Sequence, residues 1–234
     1  MMTAVVAVLL CLSAVVRCHA GVLVSPVLVE ANGVRAGDEI VITCTELDGR
    51  EQLLSLSLGM FDQDQSGLVF FLEDEEAQAR AAEIIELPRR QVELRPYERK
   101  ELILRVRSAD FASSYLAVFI RSQHGSVSSR LAVLLMLCSA AAEEAVELTD
   151  LLVDKHSVAL TFHNFGTRHG TAAGVVAAYD GRGVLLNELY LESGRILPNR
   201  TRTVHLDLAL QPAAVRFVPG EGLGSGLMVS DVSW

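Results

Sequence analysis

The segment that most constrains the fold is residues 84–107, IIELPRRQVELRPYERKELILRVR. It contains two short strand-like runs, each closed by a proline, and then a longer run in which apolar and charged residues alternate. The apolar face of that run is Leu102, Leu104 and Val106, and the other face is Arg99, Glu101, Arg105 and Arg107. Alternation with a period of two is typical of a half-buried strand, and a proline cannot donate to a sheet ladder. The segment therefore predicts an all-β class, with Pro88 and Pro96 at strand ends or edges.

Short strand patterns separated by turn residues recur along the rest of the chain, which is typical of immunoglobulin-like sandwiches. The first of them, residues 22–30, is interrupted by Pro26, as in an edge strand that bends or changes sheets. Residues 139–144, SAAAEE, have no strand pattern and are interpreted as a linker. We therefore expect two tandem β-sandwich domains, at residues 21–138 and 145–234, the second with a glycine-rich tail. The only tryptophan is Trp234, so a cysteine–tryptophan core of the antibody type is not expected.

The N-terminus indicates export. Residues 2–16 are an apolar run, and the small residues Cys18 and Ala20 suit a signal-peptidase cut after residue 20. A buried N-terminal helix is the alternative. No later apolar run reaches the roughly 20 residues that span a bilayer, so the mature chain is expected to have no membrane span and to be periplasmic or at the cell surface.

The formal net charge of −9 disfavours nucleic acid and anionic lipid as partners. Cleavage after residue 20 would also remove Arg17 and make the chain more negative still. Two cysteines, Cys44 and Cys138, would remain. In an oxidising compartment they can form a disulfide, and the alternative is two buried thiols.

One motif has the spacing of a calcium loop. Asp62, Asp64, Ser66 and Gly67, with Glu73 at the twelfth position, satisfy the EF-hand pattern. The flanking residues alternate like strands, however, and the same residue types favour a hairpin turn. A turn is the preferred interpretation.

No other motif indicates chemistry. His163 and His169 flank a turn, but no third metal ligand is evident near them. A nucleophile elbow, a phosphate-binding loop and a zinc-ligand set are all absent from the sequence. We therefore expect a non-enzymatic protein without a cofactor or bound metal.

Two strands are apolar on both faces. Residues 115–120 and residues 131–137 do not alternate, although the outer face of a sandwich strand normally meets water. Either an insertion covers the outer face or a partner binds there.

Several segments, in this order, resemble the PapD-like periplasmic chaperones of pilus assembly. VLVSPVLVE resembles the first strand of that family, IIELPRRQVELRPYERKELILRV the fourth and fifth, SSYLAVFIRS the sixth and SRLAVLLML the seventh. ALTFHNFGTRHGTAAGVVAAYDGRG and SGRILPNRTRTVHL resemble strands and turns of its second domain. The resemblance covers most of residues 21–218.

The resemblance implies that the seventh strand donates alternating apolar residues to an incomplete subunit of a surface structure. The residues that match this role by position are Leu131, Val133, Leu135 and Leu137. The family anchors the subunit's terminal carboxylate with an arginine on the first strand and a lysine on the seventh. This chain has neither, and Arg130 is the basic candidate at the start of the seventh strand. The expected function is an exported chaperone that binds pilus-like subunits. The alternative is a surface or periplasmic binding module for a glycan or wall protein, with calcium dependence as a variant.

Overall fold

The computed structural model describes residues 21–124, 127–220 and 228–230, so the predicted signal peptide lies outside the described residues. The first ten strands are β1 (Val22–Ser25), β2 (Leu28–Asn32), β3 (Glu39–Glu46), β4 (Gln52–Gln63), β5 (Val69–Leu72), β6 (Ile85–Glu86), β7 (Gln91–Leu94), β8 (Arg99–Val106), β9 (Ser113–His124) and β10 (Val127–Cys138). Helix α1 (Glu75–Ile84) lies between β5 and β6. The remaining strands are β11 (Val146–Asp154), β12 (Ser157–Asn164), β13 (Gly170–Tyr179), β14 (Leu185–Ile196), β15 (Thr201–Asp207), β16 (Ala214–Pro219) and β17 (Met228–Ser230).

The first ten strands form a sandwich of two sheets. One sheet has the order β1-β3-β8-β6, and the other has the order β2-β10-β9-β4-β5, with β7 also paired to β4. Alternate residues of β3, β4, β8, β9 and β10 meet between the sheets in one apolar core. The alternation predicted for residues 99–107 is confirmed, because Leu102, Leu104 and Val106 of β8 are buried in this core.

The strand interrupted by Pro26 changes sheets, as the sequence predicts. β1 pairs antiparallel with β3, whereas β2 pairs parallel with β10 in the opposite sheet. The Ser25–Pro26 peptide bond between them is cis. The register of β2 runs from Leu28 opposite Leu134 to Asn32 opposite Cys138.

The acidic, alanine-rich segment after β5 forms helix α1. Its N-cap is Asp74, whose carboxylate accepts a hydrogen bond from the backbone N–H of Ala77 at 2.8 Å. Ala77 and Ala81 are buried, and Ala81 belongs to the core of the first sandwich. Among the described residues, no helix is long and apolar enough to cross a membrane.

The remaining strands form a second sandwich, so the predicted all-β class with two sandwiches is confirmed. Its sheets have the orders β11-β12-β15 and β14-β13-β16-β17. A separate core lies between them, with the rings of Phe162 and Phe217 in edge-to-face contact at 5.5 Å between centroids. The chain passes from one sandwich to the other between β10 and β11.

A small apolar cluster joins the two sandwiches. Phe61 and Met136 of the first sandwich pack against Leu197 of the second, and Tyr115 lies at the edge of the cluster. This cluster covers part of the outer face of β9 and β10, which answers the question raised by their double-sided apolar pattern. Another part of that face is covered locally, because Phe71 of β5 packs edge-to-face on Phe119 of β9 with centroids 5.1 Å apart.

Polar contacts fix the same junction. The side chain of Gln63 donates to the carbonyl of Arg195 at 2.8 Å and accepts from the N–H of Leu197 at 3.1 Å. Arg200 forms a two-pronged ion pair with Asp62, with 2.7 Å between Nε and Oδ1. Burial alone would raise the pKa of Asp62, but the hydrogen bonds and charge of Arg200 lower it.

Candidate partner-binding edge

The strand predicted to bind a partner, β10, is covered along only half of one edge. β9 pairs with β10 along its whole length, but β2 pairs only with residues 134–138. Within the described residues, no strand pairs with the other edge of β10 before Leu134. We call this stretch, residues 128–133, the β10 free edge.

One hydrogen bond shows which backbone groups of β10 point toward this edge. The N–H of Leu134 donates to the carbonyl of Val27, at 2.9 Å, so the backbone of Leu134 faces β2. Because backbone groups alternate sides along a strand, the N–H and C=O groups of Ala132 and Arg130 face the same way. They are therefore the groups that an added strand would meet.

The predicted binding residues do not share one environment. Val133, Leu135 and Leu137 are fully buried in the core of the first sandwich, and Leu131 is half-buried against it. In this arrangement the three buried side chains pack between the two sheets. Leu131 lies at the margin of the core, next to the β10 free edge.

Arg130 is exposed, and its guanidinium already has two partners. It forms an ion pair with Glu73 and lies over the ring of Phe119, 3.8 Å from the centroid. The pair brings the start of α1 next to β10 and covers Phe119. Binding a partner's carboxylate through Arg130 would therefore require Glu73 to be displaced.

Two exposed apolar residues that the sequence did not single out lie next to the β10 free edge. Val27 is 64 % exposed and Leu28 is 36 % exposed. Leu28 is in register with Leu134. Pro26 shows where the first strand breaks, but only the register of β2 shows where β10 becomes uncovered.

The predicted calcium loop is a hairpin turn between two strands. The carboxylate of Asp64 accepts hydrogen bonds from the N–H groups of Ser66 and Leu68 at 2.9 and 3.0 Å, and Gly67 has a positive φ of 85°. Asp62 pairs with Arg200, and Glu73 pairs with Arg130. These residues therefore do not form an EF-hand, because an EF-hand needs flanking helices and free carboxylates.

Cys44 and Cys138 are free and buried. Cys44 lies in the core of the first sandwich, and burial raises the pKa of its thiol to about 11. The alternative of two unpaired thiols is thus confirmed over the disulfide.

One cluster has the residue types of a catalytic triad, in which a thiol is followed by an imidazole and a carboxylate, but it lacks the chemistry of one. Its members are Cys138, His169 and Glu30. Nδ1 of His169 is 3.8 Å from the sulfur and 3.3 Å from the hydroxyl of Tyr115, and Nε2 is 3.7 Å from the Glu30 carboxylate. Cys138 is completely buried, and burial raises the pKa of its thiol. A substrate cannot reach this sulfur, and the thiolate is disfavoured, so the group joins the two sandwiches instead.

The histidine pair is likewise structural. Nδ1 of His163 contacts the hydroxyl of Thr201 at 2.9 Å, whereas His169 contacts Tyr115. No group of three or more His, Cys, Asp or Glu side chains in the described part of the chain is arranged to hold a metal ion.

Comparison with known proteins gives matches in structure but not in sequence. No protein-family model and no curated protein matches the chain. A chain of the chaperone–tip adhesin complex of CFA/I fimbriae biogenesis matches with a TM-score of 0.57 and 11% identity, over 91% of this chain and 99% of that one.

Two further solved structures match over similar lengths. The class 5 fimbriae chaperone CfaA gives a TM-score of 0.54 at 12% identity, over 91% of this chain and 100% of that chain. The third match is a chain of the CsuC–CsuE chaperone–tip subunit pre-assembly complex, from the archaic chaperone–usher Csu pili of Acinetobacter baumannii. Its TM-score is 0.51 at 10% identity, over 90% of this chain and 97% of that chain. This chain therefore has the PapD-like fold of two immunoglobulin-like domains that is found in fimbrial chaperones.

Proposed function

We propose that this protein is an exported, non-catalytic assembly chaperone that holds a subunit of a pilus-like surface structure by strand addition. The observation that carries the proposal is the β10 free edge. Among the described residues, β10 is paired on both sides in its second half, but no strand pairs with one of its sides in its first half. An exposed sheet edge of this kind can accept an extended segment of another protein.

Affinity would come first from the backbone. The N–H and C=O groups of Arg130 and Ala132 are the ladder partners for an added strand, and such bonds are indifferent to sequence. Specificity would come from the apolar side chains beside them, which are Leu131, Val27 and Leu28. Leu131 is the one predicted apolar contact with exposed surface, since Val133, Leu135 and Leu137 serve the core.

Arg130 offers the basic group for this interaction. Its pairing with Glu73 is a partly exposed ion pair, a class that typically contributes no more than about 1 kcal/mol. A subunit carboxylate can therefore replace Glu73 at little cost. We propose that Glu73 holds the guanidinium in place until a partner arrives.

The location of the protein follows from the same proposal. The signal-like N-terminus favours export, and fimbrial chaperones with this fold support a periplasmic site of action. A subunit that lacks one strand exposes an apolar groove, which aggregates unless it is filled.

The experiment is co-purification with a pilin-type subunit that lacks its last strand, using a proline substitution at the edge. Ala132→Pro removes an N–H that faces away from β9, so the sandwich should fold normally, as a circular dichroism spectrum would verify. We expect at least a tenfold loss of captured subunit relative to wild type. Ala132→Val, which keeps the N–H, is the matched control and should retain capture. Equal capture by the folded proline variant and the control would refute strand addition at this edge.

A further inference from the structure

Two arginines lie side by side at the start of the β10 free edge. Arg130 of β10 and Arg121 of β9 are directly opposite each other in the antiparallel register, so their side chains leave the same face of the sheet. Both residues are exposed. Like charges directly opposite each other destabilise a sheet, so this pair favours a negative group bound between the two side chains.

One carboxylate serves this pair in the part of the chain that the structure describes. Glu73 forms an ion pair with Arg130, whereas Arg121 forms none with a described residue. The same row of the sheet continues with Ser55 of β4 and Gln91 of β7, which are both uncharged. The row therefore keeps an excess of positive charge that a second carboxylate can balance.

The other end of the β10 free edge is apolar. There β2 closes the edge, because the N–H of Leu134 donates to the carbonyl of Val27. Val27 and Leu28 are exposed, and Leu28 is in register with Leu134. None of these three residues offers a basic group, so a carboxylate at this end would lose water without a compensating charge. The edge is thus cationic at its start and apolar where β2 closes it.

We propose that the partner strand lies antiparallel to β10, with its terminal carboxylate held between Arg121 and Arg130. This direction rests on the chaperone function proposed above and adds to it how the bound strand is oriented. β10 runs from the arginine pair toward β2, so a strand that ends at the arginines runs the opposite way and enters the edge over Val27 and Leu28. In an antiparallel ladder the outward backbone groups of Ala132 exchange two hydrogen bonds with the residue opposite.

The chemistry of a chain terminus suits this site. A terminal carboxylate is present whatever the sequence of the strand, just as the backbone bonds along the edge are indifferent to sequence. Its two oxygens can accept from guanidinium N–H groups in the planar, bidentate geometry that arginine favours. Two neighbouring guanidiniums can therefore fix where the bound strand ends, and the apolar end of the edge covers the side chains that precede that terminus.

Cross-linking reads the direction of the bound strand. The probe is a pilin-type subunit that lacks its last strand and carries a cysteine as its final residue. Ser128 lies about 7 Å along the strand from Arg130, whereas Val27 lies more than about 10 Å away in the other direction. A thiol reagent that spans about 8 Å, between two and three residues of extended strand, should link the subunit to Ser128→Cys and not to Val27→Cys. Both positions are exposed, and the native cysteines are buried.

A thermodynamic cycle tests the arginine pair itself. Arg121→Gln should weaken capture of the subunit about fivefold, the size of one partly exposed ion pair. Amidation of the terminal carboxylate of the subunit should weaken capture at least as much, and both changes together should lose no more than amidation alone. Arg99→Gln is the matched control and should bind like wild type, because it removes an exposed arginine from the other sheet of the sandwich.

The possible results separate the direction of the strand from the chaperone function. A captured subunit that links to Val27→Cys, or to neither variant, would overturn the antiparallel direction and leave strand addition standing. Additive losses from Arg121→Gln and amidation would overturn the carboxylate contact. Absence of capture by wild type, or equal capture by Ala132→Pro and Ala132→Val, would overturn both proposals, since no strand would then lie at this edge.

Discussion

The Leu135→Ala substitution tests whether the inward-facing side chains of β10 stabilise the core of the first sandwich. Leu135 is completely buried between the two sheets of the first sandwich. The substitution removes three carbon atoms, worth about 2.5 kcal/mol in transfer free energy, and leaves a cavity that adds to the cost. We therefore expect the free energy of unfolding of the first sandwich to fall by about 2–5 kcal/mol.

Native-state hydrogen exchange of the β9 and β10 amides is the suitable assay, since the two sandwiches have separate cores and need not unfold together. Val27→Ala, at an exposed position beside the β10 free edge, is the control and should change the free energy by no more than about 0.5 kcal/mol. A similarly small effect of Leu135→Ala would refute the core assignment.

Three further predictions concern groups away from the β10 free edge. Because the pKa of Asp62 is lowered, its ion pair with Arg200 stabilises the contact between the sandwiches fully above the ordinary aspartate pKa of about 3.9, and this stabilisation is lost as the pH falls through the lowered value. Small-angle scattering should therefore show that the two sandwiches separate in strong acid. The Asp62→Asn variant should show this separation already at pH 7 and should respond less to acid. Glu46 is buried, and its carboxylate accepts hydrogen bonds from backbone N–H groups, including that of Tyr97 at 2.8 Å. Glu46→Gln should therefore lower the free energy of unfolding, measured by urea titration, by about 1–3 kcal/mol. An unchanged free energy of unfolding would show that these hydrogen bonds are replaceable. The buried thiols of Cys44 and Cys138 should not react with a disulfide reagent until the protein is unfolded, and rapid labelling of the native protein would contradict their burial.

The sequence predicted the class and the first strand well because both depend on local patterns. Alternation in residues 99–107 identifies a buried face without any knowledge of its neighbours. Pro26 marks a break because a proline cannot extend a ladder. The acidic segment before Ile85 could be a helix or a loop from its residues alone, and burial of Ala77 and Ala81 against the first sandwich favours the helix.

The site was harder to predict because it depends on pairing between distant strands. Leu131, Val133, Leu135 and Leu137 share a face in any strand, but the sequence does not say whether that face meets a second sheet or a partner. Only the register of β2 shows that β10 is covered from Leu134 onward. The relevant groups at the edge are backbone groups of Arg130 and Ala132, and these leave no signature in side-chain chemistry.

The contacts between the sandwiches escaped prediction for the same reason. Asp62 was a candidate calcium ligand by spacing, yet its partner is Arg200, far away in sequence. His163 and His169 flank the same turn in the sequence. In the fold it contacts Tyr115 and Cys138 of the first sandwich instead.

The central claim, that β10 receives a partner strand at residues 128–133, is tested most directly by amide exchange at Ala132, read residue by residue by NMR. In the free protein this N–H faces away from β9 and should exchange rapidly, whereas that of Leu134 is bonded to Val27 and should be protected. Addition of a pilin-type subunit that lacks its last strand should protect Ala132 and leave Leu134 unchanged. Rapid exchange at Ala132 within a stable complex would contradict strand addition at the β10 free edge.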